Sequence, residues 1–179
     1  MSRIHLDVPY VSQVNIGGHI EGEEGRTERM GCWYAAACML GYFRENGPRL
    51  GMPSQYLTPN GLPRLIGGTL QPAAMGKNTP ELAANEGWKQ LPLPQDKAWT
   101  CEQLITILQK CGPCYMRTKS SPTVGHILVL VGADSDAKTV TVHDPARGPN
   151  RTFPIDDLNR IFKWDGERAT YSMMYKPAP

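Results

Sequence analysis

No stretch of this chain is apolar for long. Its apolar runs, Ile127 to Val131 among them, fall far short of the roughly 20 residues that a membrane helix requires. The opening Met-Ser-Arg-Ile-His-Leu-Asp has no apolar core segment and no small-residue cleavage site, so no signal peptide is visible. The chain is therefore expected to be soluble, and either to work in a reducing compartment or to leave the cell by a route without a cleavable mark. A surplus of one charge is also missing: 19 Lys and Arg stand against 17 Asp and Glu, for a net +2. That balance gives no electrostatic case for wrapping nucleic acid. There is no internal repeat, and histidine is scarce, at four residues. The five cysteines are an odd number, so at least one stays outside any internal disulfide.

Glycine and proline, by contrast, are abundant: 18 and 16 of 179 residues, against roughly 12% for the two together in an average chain. A length of 179 residues fits one domain, here expected to span 1–179, with a core large enough to need no staples. The excess of turn formers predicts long surface connections around that core. Two such stretches are expected, an exposed loop over 15–29 and a long connection over 44–80 with a turn of helix near Pro63–Ile66.

Between them, 31–43 carries small and apolar residues around most of a helical circumference, which predicts a buried helix. A short helix is expected from Pro80 to Gly87. Thr100-Cys-Glu-Gln103 fits a capping box, and Leu104, Ile107, Leu108 and Cys111 form the stripe of the helix it opens. Strand patterns follow at 114–118, 126–133, 139–143, 151–155 and 170–175, with a short helix over 156–162. Val8 to Gln13, proline-led with β-branched and aromatic residues, reads as an edge strand. Helices first and an antiparallel sheet second make the fold class α+β.

Cys32 stands at the N-terminus of the buried helix, where unpaired N–H groups and the positive dipole end favour a thiolate. Position alone favours the commoner reading, a buried structural cysteine. Gly31 before it allows close backbone approach, and Trp33 after it is a candidate wall of the site. A cysteine nucleophile needs a proton acceptor, and that imidazole needs an orienting acceptor of its own. Of the four histidines, His5 and His19 lie in terminal or loop sequence. His126 follows Gly125 and begins the apolar strand, where a polar residue breaks the pattern. If the following turn centres on Asp136, Leu128 faces Asp144, and His126 and Asp144 are diagonal neighbours on one face. A slip of one residue presents His143 there instead. Gln13 is a candidate side-chain donor for an oxyanion, beside the backbone N–H of Cys32.

Four blocks, Val8-Pro-Tyr-Val-Ser-Gln13, Gly31-Cys-Trp-Tyr-Ala-Ala-Ala37, Gly125-His-Ile-Leu-Val-Leu-Val-Gly132 and Val142-His-Asp-Pro145, resemble the bacterial papain-like cysteine proteases. The resemblance is to effector proteases of the AvrRpt2 type and, more distantly, to the C39-like peptidases. It implies Cys32 as nucleophile, His126 as general base and acid, Asp144 as its orienter and Gln13 as oxyanion donor. Trp33 and Gly125 are the substrate-binding candidates. The implied fold is a papain-like one, its N-terminal nucleophile-bearing helix packed on an antiparallel sheet with the cleft between them. A protein or peptide substrate and an inhibitory (immunity) protein are the implied partners, with no nucleic acid, no membrane, no metal and no organic cofactor. An effector of this kind would be exported by a specialised secretion system and act in a target cell. A papain-like amidase or deamidase, on peptidoglycan or a glutamine side chain, is the alternative within the scaffold. A non-catalytic peptide-binding module would lack a triad member. Cys111-Gly-Pro-Cys114 spells a thioredoxin-type redox motif, but it follows a helix instead of opening one, so it reads as a helix stop.

Overall fold

A computed structural model describes residues 2–13, 31–44, 79–80, 82–84, 86–122 and 124–179. The loop expected over 15–29 and nearly all of the connection over 44–80, with its turn near Pro63–Ile66, lie outside the described residues. Strand β1 (Arg3–His5) is followed by helix α1 (Cys32–Arg44), strand β2 (Lys89–Gln90), helix α2 (Cys101–Cys111) and strand β3 (Cys114–Lys119). Strands β4 (Gly125–Asp134), β5 (Thr139–Asp144) and β6 (Gly148–Pro154), helix α3 (Ile155–Ile161) and strand β7 (Met173–Tyr175) complete the order. All the pairings are antiparallel, in the order β2-β7-β3-β4-β5-β6. Strand β1 lies on β4 beyond the end of β3. Helices and one antiparallel sheet make the chain α+β, and no helix among the described residues is long and apolar enough to cross a membrane.

Strand β4 is covered on both faces, which explains why its sequence is a continuous apolar run and not an alternation. Ile127, Val129 and Val131 join the core built on α1, with Trp33, Ala36 and Leu40. Leu128 and Leu130 join the opposite core, with Leu104 and Leu108 of α2, Leu158 of α3 and Phe162. Helix α1 is buried continuously from Trp33 to Gly41, as its all-round small and apolar composition demands. Helix α2 keeps its capping box: Gln103 N–H donates to Thr100 Oγ1 at 3.2 Å, and Thr100 N–H to Gln103 Oε1 at 2.9 Å.

The β4–β5 hairpin departs from the simple reading in one informative way. Its turn is 135–138, with Asp134 opposite Thr139, so its centre falls between Asp136 and Ala137, not on Asp136. Asp134 Oδ1 closes it by accepting from the N–H groups of Asp136 and Ala137, both at 2.9 Å. Continued unbroken, that register would set Asp144 opposite Val129. A bulge between Leu130 and Gly132 shifts it by one residue, so that Leu130 opposes Val142 and Val129 opposes His143. At the far end of the hairpin the register is therefore the one that an Asp136-centred turn would have produced.

Val8 to Gln13 is not the edge strand expected. The ladder is made instead by Arg3–His5, against Gly132–Asp134. Pro9 has no N–H to give to a ladder, and the segment is held by side chains and turn carbonyls described below. Gly132 is where the crossing is tightest: a Cβ there would sit 2.9 Å from Ile4 O and 3.2 Å from Thr141 Cβ.

The stop after α2 is equally specific. Gly112 has φ 81° and ψ −163°, a region open essentially to glycine alone, and its N–H donates to Leu108 O at 3.0 Å. Arg44 closes over it from the end of α1, donating to Cys111 O at 2.6 Å and Lys176 O at 2.9 Å. A Cβ on Gly112 would stand 2.7 Å from Arg44 Nη2, whereas one on Gly87 (φ 68°) would meet nothing within 4 Å. Gly112→Ala should lower unfolding stability by roughly 3 kcal/mol and Gly87→Ala by about 1 kcal/mol. Urea unfolding of the two variants checks this, and equal losses would show that the Arg44 clamp adds nothing.

Candidate active site

Three of the residues singled out from sequence come together at one end of the sheet. His126 is the second residue of β4, and Thr118 opposite it on β3 donates from its hydroxyl to the His126 carbonyl at 2.8 Å. Asp144 is the last residue of β5. The bulge in β4 puts the two on the same edge of the hairpin, and His126 Nε2 meets Asp144 Oδ1 at 2.7 Å. The same oxygen accepts from Ala146 N–H at 2.9 Å, so Asp144 opens its Asp-Pro turn and holds the histidine at once. A carboxylate only accepts, so Nε2 carries a proton, and Nδ1 is the nitrogen left to face Cys32, which is near enough to act on the ring's protonation.

Cys32 is the first residue of α1. Gly31 O accepts from Ala35 N–H at 3.0 Å, the first bond of the helix, so Cys32 stands in its first turn. All five cysteines are free thiols. Cys32 is half-buried, whereas Cys38, Cys101 and Cys114 are buried.

The electrostatics follow from this geometry. Burial works to lower the pKa of His126, but the hydrogen bonds to Asp144 and Cys32, and the negative charge at both, override it and raise the value to about 9. Burial acts on Asp144 in the opposite sense and is overcome by the His126 hydrogen bond and charge, by Ala146 N–H and by Arg147, so its pKa ends below the ordinary carboxylate value. The side chains are 19% and 8% exposed, so solvent screens the pair little.

Gln13 is buried at the end of the N-terminal segment, and its N–H donates to Pro145 O at 2.8 Å, one residue past Asp144. Gly125 is exposed beside His126, and a Cβ there would make only ordinary contact. Trp33 corrects the sequence reading. It is 1% exposed and packs edge-to-face on Tyr34 within the core, so it backs the helix and does not wall an opening. Sequence reasoning gave Tyr10 no role and weighed His143 only as the residue that a slip of one would present beside His126. His143 is buried and bonded to Val8 O, and Tyr10 O–H donates to Asp144 O at 2.8 Å. The one available signal was a second histidine directly before the aspartate.

The redox reading of Cys111-Gly-Pro-Cys114 fails on this structure. Cys111 ends a helix instead of starting one, and Cys114 is wholly buried with its Sγ against Gly112 O at 3.5 Å. Burial pushes both thiols up, the reverse of the activation a redox cysteine requires. Among the described residues no group of three His, Cys, Asp or Glu side chains is placed to hold a metal ion.

The shifts of the pair make folding depend on pH in a definite direction. A raised histidine contributes stability in full below its unfolded pKa of about 6.5 and loses it as pH rises through about 9. The lowered carboxylate contributes above its unfolded value of about 3.9 and loses it as pH falls through the lower folded value. Urea unfolding of the wild type should therefore weaken between about pH 6.5 and 9, and Asp144→Asn should flatten that decline. An Asp144→Asn variant with the wild-type slope would break the assignment of the shift to this pair.

The model of the family described as papain-like cysteine protease AvrRpt2 matches residues 2–161. With a half-buried cysteine at a helix N-terminus, an imidazole between it and a carboxylate, and a match over nearly the whole described sheet, this chain belongs to that family and is a cysteine protease.

Proposed function

We propose that Cys32, His126 and Asp144 form the catalytic triad of this protease. The observation that carries the reading is His126, bonded through Nε2 to Asp144 Oδ1 at 2.7 Å and close enough to Cys32 for the cysteine to favour the charged ring. An imidazole held protonated beside a cysteine is the arrangement in which the sulfur works as a thiolate. The helix N-terminus adds its own positive potential at Cys32.

In the proposed cycle the Cys32 thiolate adds to the scissile carbonyl of a protein substrate. The carbonyl oxygen becomes an oxyanion held by the Cys32 N–H and the Gln13 side-chain amide. His126 passes its proton to the leaving amine, the C–N bond breaks and a thioester remains. His126, now neutral and oriented by Asp144, takes a proton from water, which adds to the thioester and releases the acid and the thiolate. Gly125, exposed beside His126, leaves room for the substrate backbone. The nucleophile-bearing helix against the antiparallel sheet, all within one domain, is the papain-like arrangement.

Family membership supports a bacterial effector acting on a protein inside a target cell after specialised export. A producer of such an enzyme would need an inhibitory protein of its own. The near balance of charge supports neither nucleic acid nor an anionic membrane as a partner.

Iodoacetamide at neutral pH followed by peptide mapping should label Cys32 well ahead of the other four thiols. Cys111 is the internal standard: it too is half-buried, but burial raises its pKa. Equal labelling of Cys32 and Cys111 would sink the activated thiolate. New protein termini in a target-cell proteome exposed to the wild type, absent with Cys32→Ala, should then identify the substrate.

A further inference from the structure

The two histidines of the β4–β5 hairpin do different work. His143 is 2% exposed. Its Nε2 lies 2.7 Å from Val8 O, and its Nδ1 lies 3.1 Å from Asn150 N. A carbonyl can only accept and an amide N–H can only donate, so Nε2 bears the proton and Nδ1 is bare. The two backbone groups together define one neutral tautomer. Burial, with a smaller contribution from His5 on β1, holds its pKa below the ordinary histidine value, against the bonds to backbone and the charge of Asp7. Nothing in this environment suits it to acid–base work at the thiol.

What His143 touches is the N-terminal segment. That segment enters on Leu6 N–H to Val131 O at 2.8 Å and leaves on Gln13 N–H to Pro145 O at 2.8 Å. Between these ends the attachments are His143 to Val8 O and the Tyr10 hydroxyl to the carbonyls of Asp144 at 2.8 Å and Pro145 at 3.2 Å, with a long Ser12 hydroxyl contact to Pro145 O. Tyr10 and His143 also meet edge-on, ring centroids 5.6 Å apart. The β5–β6 ladder shifts register between Val142 and Asp144, and it is there that Asn150 N–H goes to the His143 ring. Side chain thus replaces backbone on both sides of one residue.

We propose that His143 is a positioning residue for the oxyanion donor: by gripping the Val8 carbonyl it sets residues 8–13, and so Gln13, against the Asp144–Pro145 turn. The proposal rests on the assignment of Cys32 and Gln13 above. Asp144 and His143, adjacent in sequence, divide the site between them. One orients the base, and the other orients the strap that carries the oxyanion donor. The displacement to be prevented is small, since a misplacement of about 1 Å in a catalytic group lowers rates by roughly 10²-fold.

Two reactions of the same thiol separate this role from general damage. Acylation of Cys32 by p-nitrophenyl acetate adds sulfur to the carbonyl, passes through an oxyanion and expels p-nitrophenolate. Alkylation by iodoacetamide displaces iodide and forms no oxyanion. His143→Gln places an amide N–H where Nε2 was and keeps the Val8 bond, whereas His143→Asn keeps only an acceptor for Asn150 N–H. His143→Asn should slow acylation by about 10²-fold while leaving alkylation at the wild-type rate, and His143→Gln should restore most of the acylation. Combined with Gln13→Ala, His143→Asn should add no further loss. Equal loss in both reactions, Gln no better than Asn, or fully additive losses with Gln13→Ala would each overturn the proposal. Failure of the underlying reading looks different: Cys32→Ala would still be acylated, or Gln13→Ala alone would acylate at the wild-type rate. If His143→Asn does not fold, Tyr10→Phe keeps the ring and loses only its hydroxyl bonds to the turn. It should then show the same selective loss of acylation, and an unchanged ratio of the two reactions would count against the proposal.

Discussion

A β-strand has two faces and no third choice, and the site depends on which face of the β4–β5 hairpin each residue takes. Apolar side chains of β4 serve two cores, one under α1 and one under α2 and α3. Any shift of register would move all of them together. The bulge between Leu130 and Gly132 lets the turn end of the hairpin and the site end hold different registers. Without it, Asp144 would lie opposite Val129 and Pro145 opposite Leu128, which turns the carboxylate to the face away from His126. The cost is local crowding, met by Gly132, where any side chain would press on β1 and β5. A single inserted residue thus links the packing of the sheet to the chemistry at its end.

His143 and Asp144 show how far environment outweighs residue type. His126 and His143 are the same side chain on adjacent strands of one hairpin, yet one is raised to about 9 and the other lowered. The difference lies in their partners. A carboxylate and a thiol reward the charged form of His126, whereas a carbonyl and an amide N–H around His143 accept only the neutral one. Asp144 in turn serves two roles through one oxygen, as turn former and as orienter. Its backbone carbonyl serves a third by receiving Tyr10.

Much of the site was legible in the sequence because each residue there violates a local pattern. His126 interrupts nothing but the start of an apolar strand, and Asp144 closes one, so both stand out against period and burial. Cys32 was legible because a helix start is written in Gly31 and the apolar run after it. The α2 boundaries were legible from short-range chemistry alone, a capping box at Thr100 and a glycine at 112. The segment Val8–Gln13 was misread because its composition favours a strand, while its pairing is decided by side chains more than 130 residues away. Local propensity carries no information about such partners. The bulges were illegible for the same reason, since each depends on what the neighbouring strand must present. Trp33 was misread because a position beside a nucleophile does not say which side of the helix faces the core.

The architecture also explains why Gln13, the proposed oxyanion donor, is carried on a strap and not on a strand. A ladder fixes backbone geometry by pairs of bonds every two residues, and it would bind residues 8–13 to the twist of the sheet. A segment held at Leu6, Val8, Tyr10 and Gln13 follows instead the contour of the turn after Asp144. Three of those four attachments end on His143, Asp144 or Pro145. Asp144 and Gln13, the proposed orienter of the base and the proposed oxyanion donor, are therefore referred to one tripeptide. A movement of that turn would carry both with it and preserve their relation, which is what a transition state with two developing charges demands of its surroundings.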